Sequence, residues 1–244
     1  MASTASTSPA TPIPATGSPA TARRPSFIER NHFWLRRLHS LSGVLPVGGF
    51  LIYHFYENAA ILQPGSTTDK VNAYTEMAVH ARNLYLFLFL EVGVIFLPIL
   101  WHAFYGVIIM MYSRTNTDAY TYGRNQMFTW QRITGAITLL FIFYHLWVFR
   151  FTAFAQTPAD PLVVAHSFAV LPVFIFYVIG IVAASFHLGN GIWTFLITWG
   201  ITVGQRAQRV SQWITTIISV AMSVLGLAIA VQLVVVAGGF QLWW

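Results

Sequence analysis

Five long apolar stretches set the pattern of this chain, at roughly 34–56, 84–112, 129–151, 168–199 and 213–237. Each reaches the ~20 residues that a helix needs to cross the hydrocarbon layer. The fourth is expected to start a little earlier, with Pro172 in its first turns or at a kink. The fifth carries no charge at all. The pattern predicts an all-α fold, an integral membrane bundle of five transmembrane helices within residues 27–244. Residues 1–26 are almost wholly Ala, Ser, Thr and Pro and end in Arg23-Arg24-Pro25. Such a segment cannot bury enough apolar surface to order itself, so a disordered tail is expected there. No basic region precedes an apolar core, which argues against a secretory signal.

Composition agrees with a membrane protein. A soluble domain carries about a quarter charged residues, whereas this chain has 8% charged and 56% hydrophobic. The net charge of +6 then reports topology rather than nucleic-acid binding, because the basic residues stand singly or in pairs. One set of connections holds Arg23, Arg24, Arg30, Arg36, Arg37, Arg114, Arg124, Arg132, Arg206 and Arg209, against Lys70, Arg82 and Arg150 on the other side. The positive-inside rule places the N-terminus in the cytoplasm and the C-terminus outside. Trp34, Trp130, Trp199 and Trp213 fall at the inner boundaries, with Trp147 and Trp243-Trp244 near the outer ones. There is no cysteine, which excludes thiolate metal sites and disulfides within the chain.

The histidines carry the candidate chemistry. His32, His39, His80 and His166 fall at boundaries or in connections, but His54, His102, His145 and His187 lie deeper, one in each of the first four stretches. An ionisable group inside a span is a functional-site hypothesis by default. At ~1.5 Å per residue, His54 is about 30 Å from Trp34 and His145 about 26 Å from Phe128, so both lie near the outer face. His102 is about 14 Å from Met111 and His187 about 17 Å from Thr198, both in the inner half. The depths pair His54 with His145 and His102 with His187. Two pairs of imidazoles facing across a bundle suit two bis-histidine haems. Gly106 and Gly191 each follow an inner histidine by four, on the same face one turn further in, and would leave room for a flat porphyrin; Gly180 would clear the other side. Arg37, His39, Ser40, Gln131 and Arg132 are candidate partners for the inner haem's propionates, while Trp101 and Trp193 flank its ligands. A proton pathway is the rival use of such histidines, but Glu91 alone among the acids lies within a span. A histidine that merely hydrogen-bonds across helices is the plain alternative at any single position.

These residues resemble a known family, the di-haem cytochrome b (b558-type) membrane-anchor subunits of succinate dehydrogenase and fumarate reductase, in the single-anchor five-helix form. The resemblance is carried by Arg36-Arg37-Leu38-His39-Ser40-Leu41, Pro46-Val47-Gly48 and His54. It continues through Leu97-Pro98, His102-Ala103-Phe104-Tyr105-Gly106, Gln131-Arg132-Ile133-Thr134-Gly135 and His145-Leu146-Trp147. Phe186-His187-Leu188-Gly189-Asn190-Gly191 and Thr198-Trp199-Gly200-Ile201-Thr202-Val203 complete it. It runs in order from about Phe27 to near the C-terminus and leaves the 26-residue leader outside.

The resemblance implies two haem b groups, with His54 and His145 as the metal ligands of the outer, distal haem and His102 and His187 as those of the inner, proximal one. It implies a multi-pass protein of a bacterial cytoplasmic (inner) membrane, in contact with lipid, with a flavoprotein subunit and an iron–sulfur subunit on the cytoplasmic face. Electrons from succinate would pass through the iron–sulfur clusters and the haems to a quinone, commonly menaquinone, and fumarate reduction would run the same path backwards. The dicarboxylate site would lie on a partner subunit. A quinone needs an apolar slot and a proton-exchanging group near the outer haem, for which Glu57 is the first candidate and Glu76, His80 and Glu91 weaker ones. Two alternatives stay open on sequence: the cytochrome b anchor of another membrane complex, such as a hydrogenase or formate dehydrogenase, and a haem-free transporter or structural anchor.

Overall fold

The structure is a computed structural model, and it describes residues 26–113, 115–151 and 160–241. The expected tail up to residue 25, including Arg23 and Arg24, lies outside the described residues, as do Arg114 and Trp243-Trp244.

Helix α1 (Phe27–Leu62) begins at a reciprocal cap. Glu29 N–H donates to Ser26 Oγ and Ser26 N–H to Glu29 Oε2, satisfying two end donors together. It widens into a π turn over Gly43–Val47, around Pro46, which lacks the N–H that a regular turn would use. It then runs on as α-helix over Gly48–Asn58 and tightens to a 3-10 turn at Ala59–Leu62. Helix α2 (Thr67–Arg82) lies between the first two spans and starts at a second such cap, Ser66 with Asp69. Hydrogen bonds from Ser66 hold the exposed Asp69 carboxyl below its usual range. Helix α3 (Phe87–Tyr112) carries a π stretch at Leu90–Phe96, just before Pro98, and α4 (Gly123–Phe151) ends in another at Trp147–Phe151.

The fourth apolar stretch is not one helix. Helix α5 (Pro161–Ala169) stops at Val170, whose backbone is extended, and α6 (Leu171–Thr198) starts with Pro172 in its first turn. The expected start at 168 therefore falls in a separate element. The freed backbone groups at the break pair with the end of the chain: Gln241 N–H donates to Ala169 O at 2.8 Å and Leu171 N–H to Gln241 O at 3.4 Å. Helix α7 (Gln205–Val236) completes the set. Helices α1, α3, α4, α6 and α7 are long and apolar enough to cross a membrane.

Helix α6 packs between α4 and α7, and α1 packs along α3. Gly189 of α6 lies so close to α7 that a Cβ there would stand 2.7 Å from Thr215 O. The apolar core sits at the end of the bundle where α6 starts, and there Tyr177, Ile181, Ile229 and Leu233 meet Phe168 of α5 and Ile61 from the end of α1. Trp34, Trp130, Trp147 and Trp213 are exposed near span ends, as an aromatic belt requires.

Candidate functional site

Helices α3 and α6 run opposite to α1 and α4, and this brings the four deep histidines together in two pairs. The rings of His102 and His187 have centroids 6.1 Å apart and stand nearly perpendicular, at 83°. Those of His54 and His145 are 5.8 Å apart at 78°. Within each pair the two rings come from different helices.

The inner imidazoles are fixed by backbone carbonyls. His102 donates from Nδ1 to His39 O at 2.9 Å, and His187 from Nδ1 to Gln131 O at 3.0 Å. A carbonyl only accepts, so Nδ1 carries the proton and Nε2 keeps its lone pair. The Gln131 side chain adds a bond from Nε2 to His187 O at 3.0 Å and accepts from Asn190 Nδ2 at 2.7 Å. The outer pair is held by side chains. His145 Nδ1 lies 3.2 Å from the Tyr177 hydroxyl, while Asn58 donates to His54 O at 2.6 Å and accepts from the Tyr74 hydroxyl of α2 at 2.9 Å.

Clearance for the inner rings comes from Gly43 and Gly135. A Cβ on Gly43 would stand 2.2 Å from His102 Cε1, and one on Gly135 2.9 Å from His187 Cε1. The three glycines expected to make room for a porphyrin lie beside side chains. Gly106 faces the His39 ring at 3.2 Å, Gly191 the Gln131 amide at 3.4 Å, and Gly180 is filled by Phe141.

At the inner end, the His39 ring stacks on His102, with centroids 4.0 Å apart and planes within 9°, and its Nδ1 is buried without a partner. Arg37 sits against Phe33 and Trp199, donates from Nη2 to Thr198 O at 3.3 Å, and has a buried Nε with no partner. Ser40 Oγ accepts from Trp199 Nε1 at 3.1 Å. Arg132 is directed elsewhere, to Ser113 Oγ and Phe128 O. Trp193 is buried against protein and donates to Gln208 O at 2.9 Å, and Trp101 stacks on Tyr105.

At the outer end, the Glu57 carboxylate has a buried oxygen without a partner and lies beside Tyr53, within electrostatic range of His80. Glu91 is instead engaged by Arg150, with Nε–Oε1 2.5 Å and Nη2–Oε2 3.0 Å. Glu76 and His80 lie together along α2, a turn apart.

The donor set discriminates among metals. Among the described residues no group of three or more His, Asp or Glu could hold a bare ion. A pair of neutral imidazoles suits a metal whose remaining ligands come from a macrocycle. With metal–nitrogen bonds of about 2 Å, as in zinc sites, two imidazoles on one metal place their centroids roughly 6 Å apart. Both observed separations match that spacing. The free Arg37 Nε–H and the unpartnered His39 Nδ1 match an anionic cofactor edge at the inner end.

Comparison with known proteins shows the family. Residues 110–229 match the family model described as succinate dehydrogenase/fumarate reductase transmembrane subunit. The chain is 40% identical over 195 residues to the succinate dehydrogenase cytochrome b558 subunit of Bacillus subtilis (strain 168), covering 80% of this chain and 94% of that protein. On that likeness, and with five membrane-spanning helices, the chain belongs to the cytochrome b membrane-anchor subunits of succinate dehydrogenase/fumarate reductase.

Proposed function

We propose that this subunit passes electrons between an iron–sulfur subunit and a membrane quinone through two bis-histidine haems b. The observation that carries the reading is the double pairing of imidazoles, at 6.1 and 5.8 Å, on four different helices. His102 and His187 would hold the inner haem, His54 and His145 the outer one. A haem held by each pair would supply one-electron transfer, and two imidazoles on its iron would leave no open site for oxygen. The chain's own part is to fix the ligand tautomers through His39 O and Gln131 O, and to present the free Arg37 Nε–H and the unpartnered His39 Nδ1 to the propionates.

The basic residues of the inner connections favour a cytoplasmic N-terminus. The flavoprotein and iron–sulfur subunits then dock on that face, and the quinone, menaquinone in our reading, binds near the outer pair. Glu57, with its unpartnered buried oxygen beside Tyr53 and His80, is the group placed to exchange the quinone's protons.

A reduced-minus-oxidised spectrum of the purified complex tests the reading. His102→Ala and His187→Ala should each remove the same b-type band, and His54→Ala and His145→Ala the other. Loss of different bands within one pair, or no b-type band in the wild type, overturns it.

A further inference from the structure

Arg37 ties the start of α1 to the end of α6. On that same membrane face, where α4 and α7 begin, lies a cavity of about 440 Å³. Arg124, Gln205, Gln208, Arg209 and Gln212 line it, over the buried ring of Trp193. Its frame is rigid. Gln208 accepts at its carbonyl from Trp193 Nε1 at 2.9 Å and at Oε1 from Arg124, and its Nε2 donates to Thr202 O at 3.4 Å.

Among the described residues no carboxylate lines the cavity, and none pairs with Arg124 or Arg209. The chain enters α7 through Gly204, at φ +85°, and the first turn of α7 has neither a capping side chain nor an acid. Its end N–H groups add to the donors of the two guanidiniums and the glutamines. Guanidinium pairs with amide donors around an acid-free space are the chemistry that recognises phosphate.

We propose that this cavity binds the phosphodiester headgroup of an anionic phospholipid. A lipid, rather than dissolved phosphate, follows from depth. Trp213, 67% exposed, marks the interfacial level one residue beyond Gln212, and the uncharged apolar run of α7 begins there. A headgroup in the cavity therefore has its acyl chains beside hydrocarbon-facing helix. The assignment uses the five-span fold alone and none of the haem assignments.

The test uses the purified complex with its soluble subunits attached. After delipidation by detergent exchange, it is equilibrated with phosphatidylglycerol, phosphatidylcholine or inorganic phosphate, and the retained ligand is quantified by mass spectrometry. Wild type should retain phosphatidylglycerol over phosphatidylcholine and take up no inorganic phosphate. An arginine near an anionic headgroup contributes roughly fivefold in retention. Arg209→Gln should lose about that factor, Arg124→Gln with Arg209→Gln about twenty-five-fold, and Arg209→Lys should recover most of it. Arg209 is exposed and makes no described hydrogen bond, so the single variant keeps the fold, which its haem spectrum checks. Equal phosphatidylglycerol retention by wild type and Arg209→Gln overturns the proposal. So does equal retention of the two lipids, uptake of inorganic phosphate to the same extent, or loss of the soluble subunits from Arg209→Gln with lipid retained.

Discussion

Gly43→Ala is the sharpest probe of the inner site, because the added atom has nowhere to go. Its Cβ would stand 2.2 Å from His102 Cε1 and 2.5 Å from Nδ1, where ordinary contact begins near 3.4 Å. The ring must retreat by more than 1 Å, or α1 must move away from α3. Retreat stretches the 2.9 Å bond from Nδ1 to His39 O, which fixes the tautomer. Overpacking of this kind costs about 1–3 kcal/mol, and the lost hydrogen bond about 1 kcal/mol more. Alanine returns about 1 kcal/mol of helix propensity. The balance is about 2 kcal/mol against the ligand geometry, or roughly a thirtyfold weaker hold on the inner haem.

Two further glycines grade the effect. Gly135→Ala brings a Cβ only to 2.9 Å of His187 Cε1, so the ring need give by a few tenths of an ångström and the loss should be several-fold smaller. Gly49→Ala meets nothing within 4 Å and should leave the haem unchanged. The assay is haem retention against a competing apo-globin, read in the reduced-minus-oxidised spectrum with the outer band as internal reference. An unchanged inner band in Gly43→Ala, or equal losses in all three variants, would refute the reasoning.

Three other outcomes follow from the geometry. Tyr177→Phe removes the hydroxyl 3.2 Å from His145 Nδ1; support of this kind is worth about 10–100-fold in metal hold, so the outer band should wash out faster while the inner one persists, and unchanged washout would show the contact to be idle. Glu91→Gln leaves Arg150 without its carboxylate; because the Arg150 side chain is 40% exposed, the cost is about 1–2 kcal/mol, well under that of a fully buried pair, and thermal unfolding of the complex should come about 2–6 °C earlier. Burial, with the charge of Glu57 behind it, pushes Tyr74 up to about 12. A raised folded pKa gives stability that is full below the unfolded value near 10 and is lost as pH climbs through 12, about 2–3 kcal/mol in all; Tyr74→Phe should flatten that alkaline fall, and a curve parallel to wild type would remove Tyr74 as its cause.

Much of this architecture was legible in the sequence because membrane burial writes itself into composition. The five apolar runs gave the spans, and a fixed rise per residue gave the depth of each histidine. Boundaries were read short where helices start in polar turns. Helix α1 begins at Phe27 rather than near 34, α4 at Gly123 rather than 129, and α7 at Gln205 rather than 213. Those turns lie at the interface, where capping and arginine contacts replace apolar burial. Helix α2 was unread for the same reason, although Ser66 and Asp69 spell out its cap. What no single-helix pattern could supply was the facing residue. Gly43 and Gly135 approach His102 and His187 only because α1 packs on α3 and α4 on α6. The stack of His39 on His102 likewise joins residues 63 apart in the chain.

The two histidine pairs are held by different means, and this divides what substitution can reach. The inner imidazoles bond to main-chain carbonyls, those of His39 and Gln131, which no side-chain change can delete. Their tautomers are therefore set by the fold, and only displacement of a helix, as at Gly43, can disturb them. The outer histidines rest on a phenol and an amide. A hydroxyl can donate or accept, so Tyr177 alone does not dictate which His145 nitrogen carries the proton. Asn58 is itself held by Tyr74, on a helix outside the spans. The route from α2 to His54 thus runs through two hydrogen bonds, Tyr74 hydroxyl to Asn58 Oδ1 and Asn58 Nδ2 to His54 O. Changes in α2 can reach the outer pair along that route. A backbone-fixed site on one side and a side-chain-tuned site on the other lets the outer ligands vary with their surroundings without loosening the inner ones.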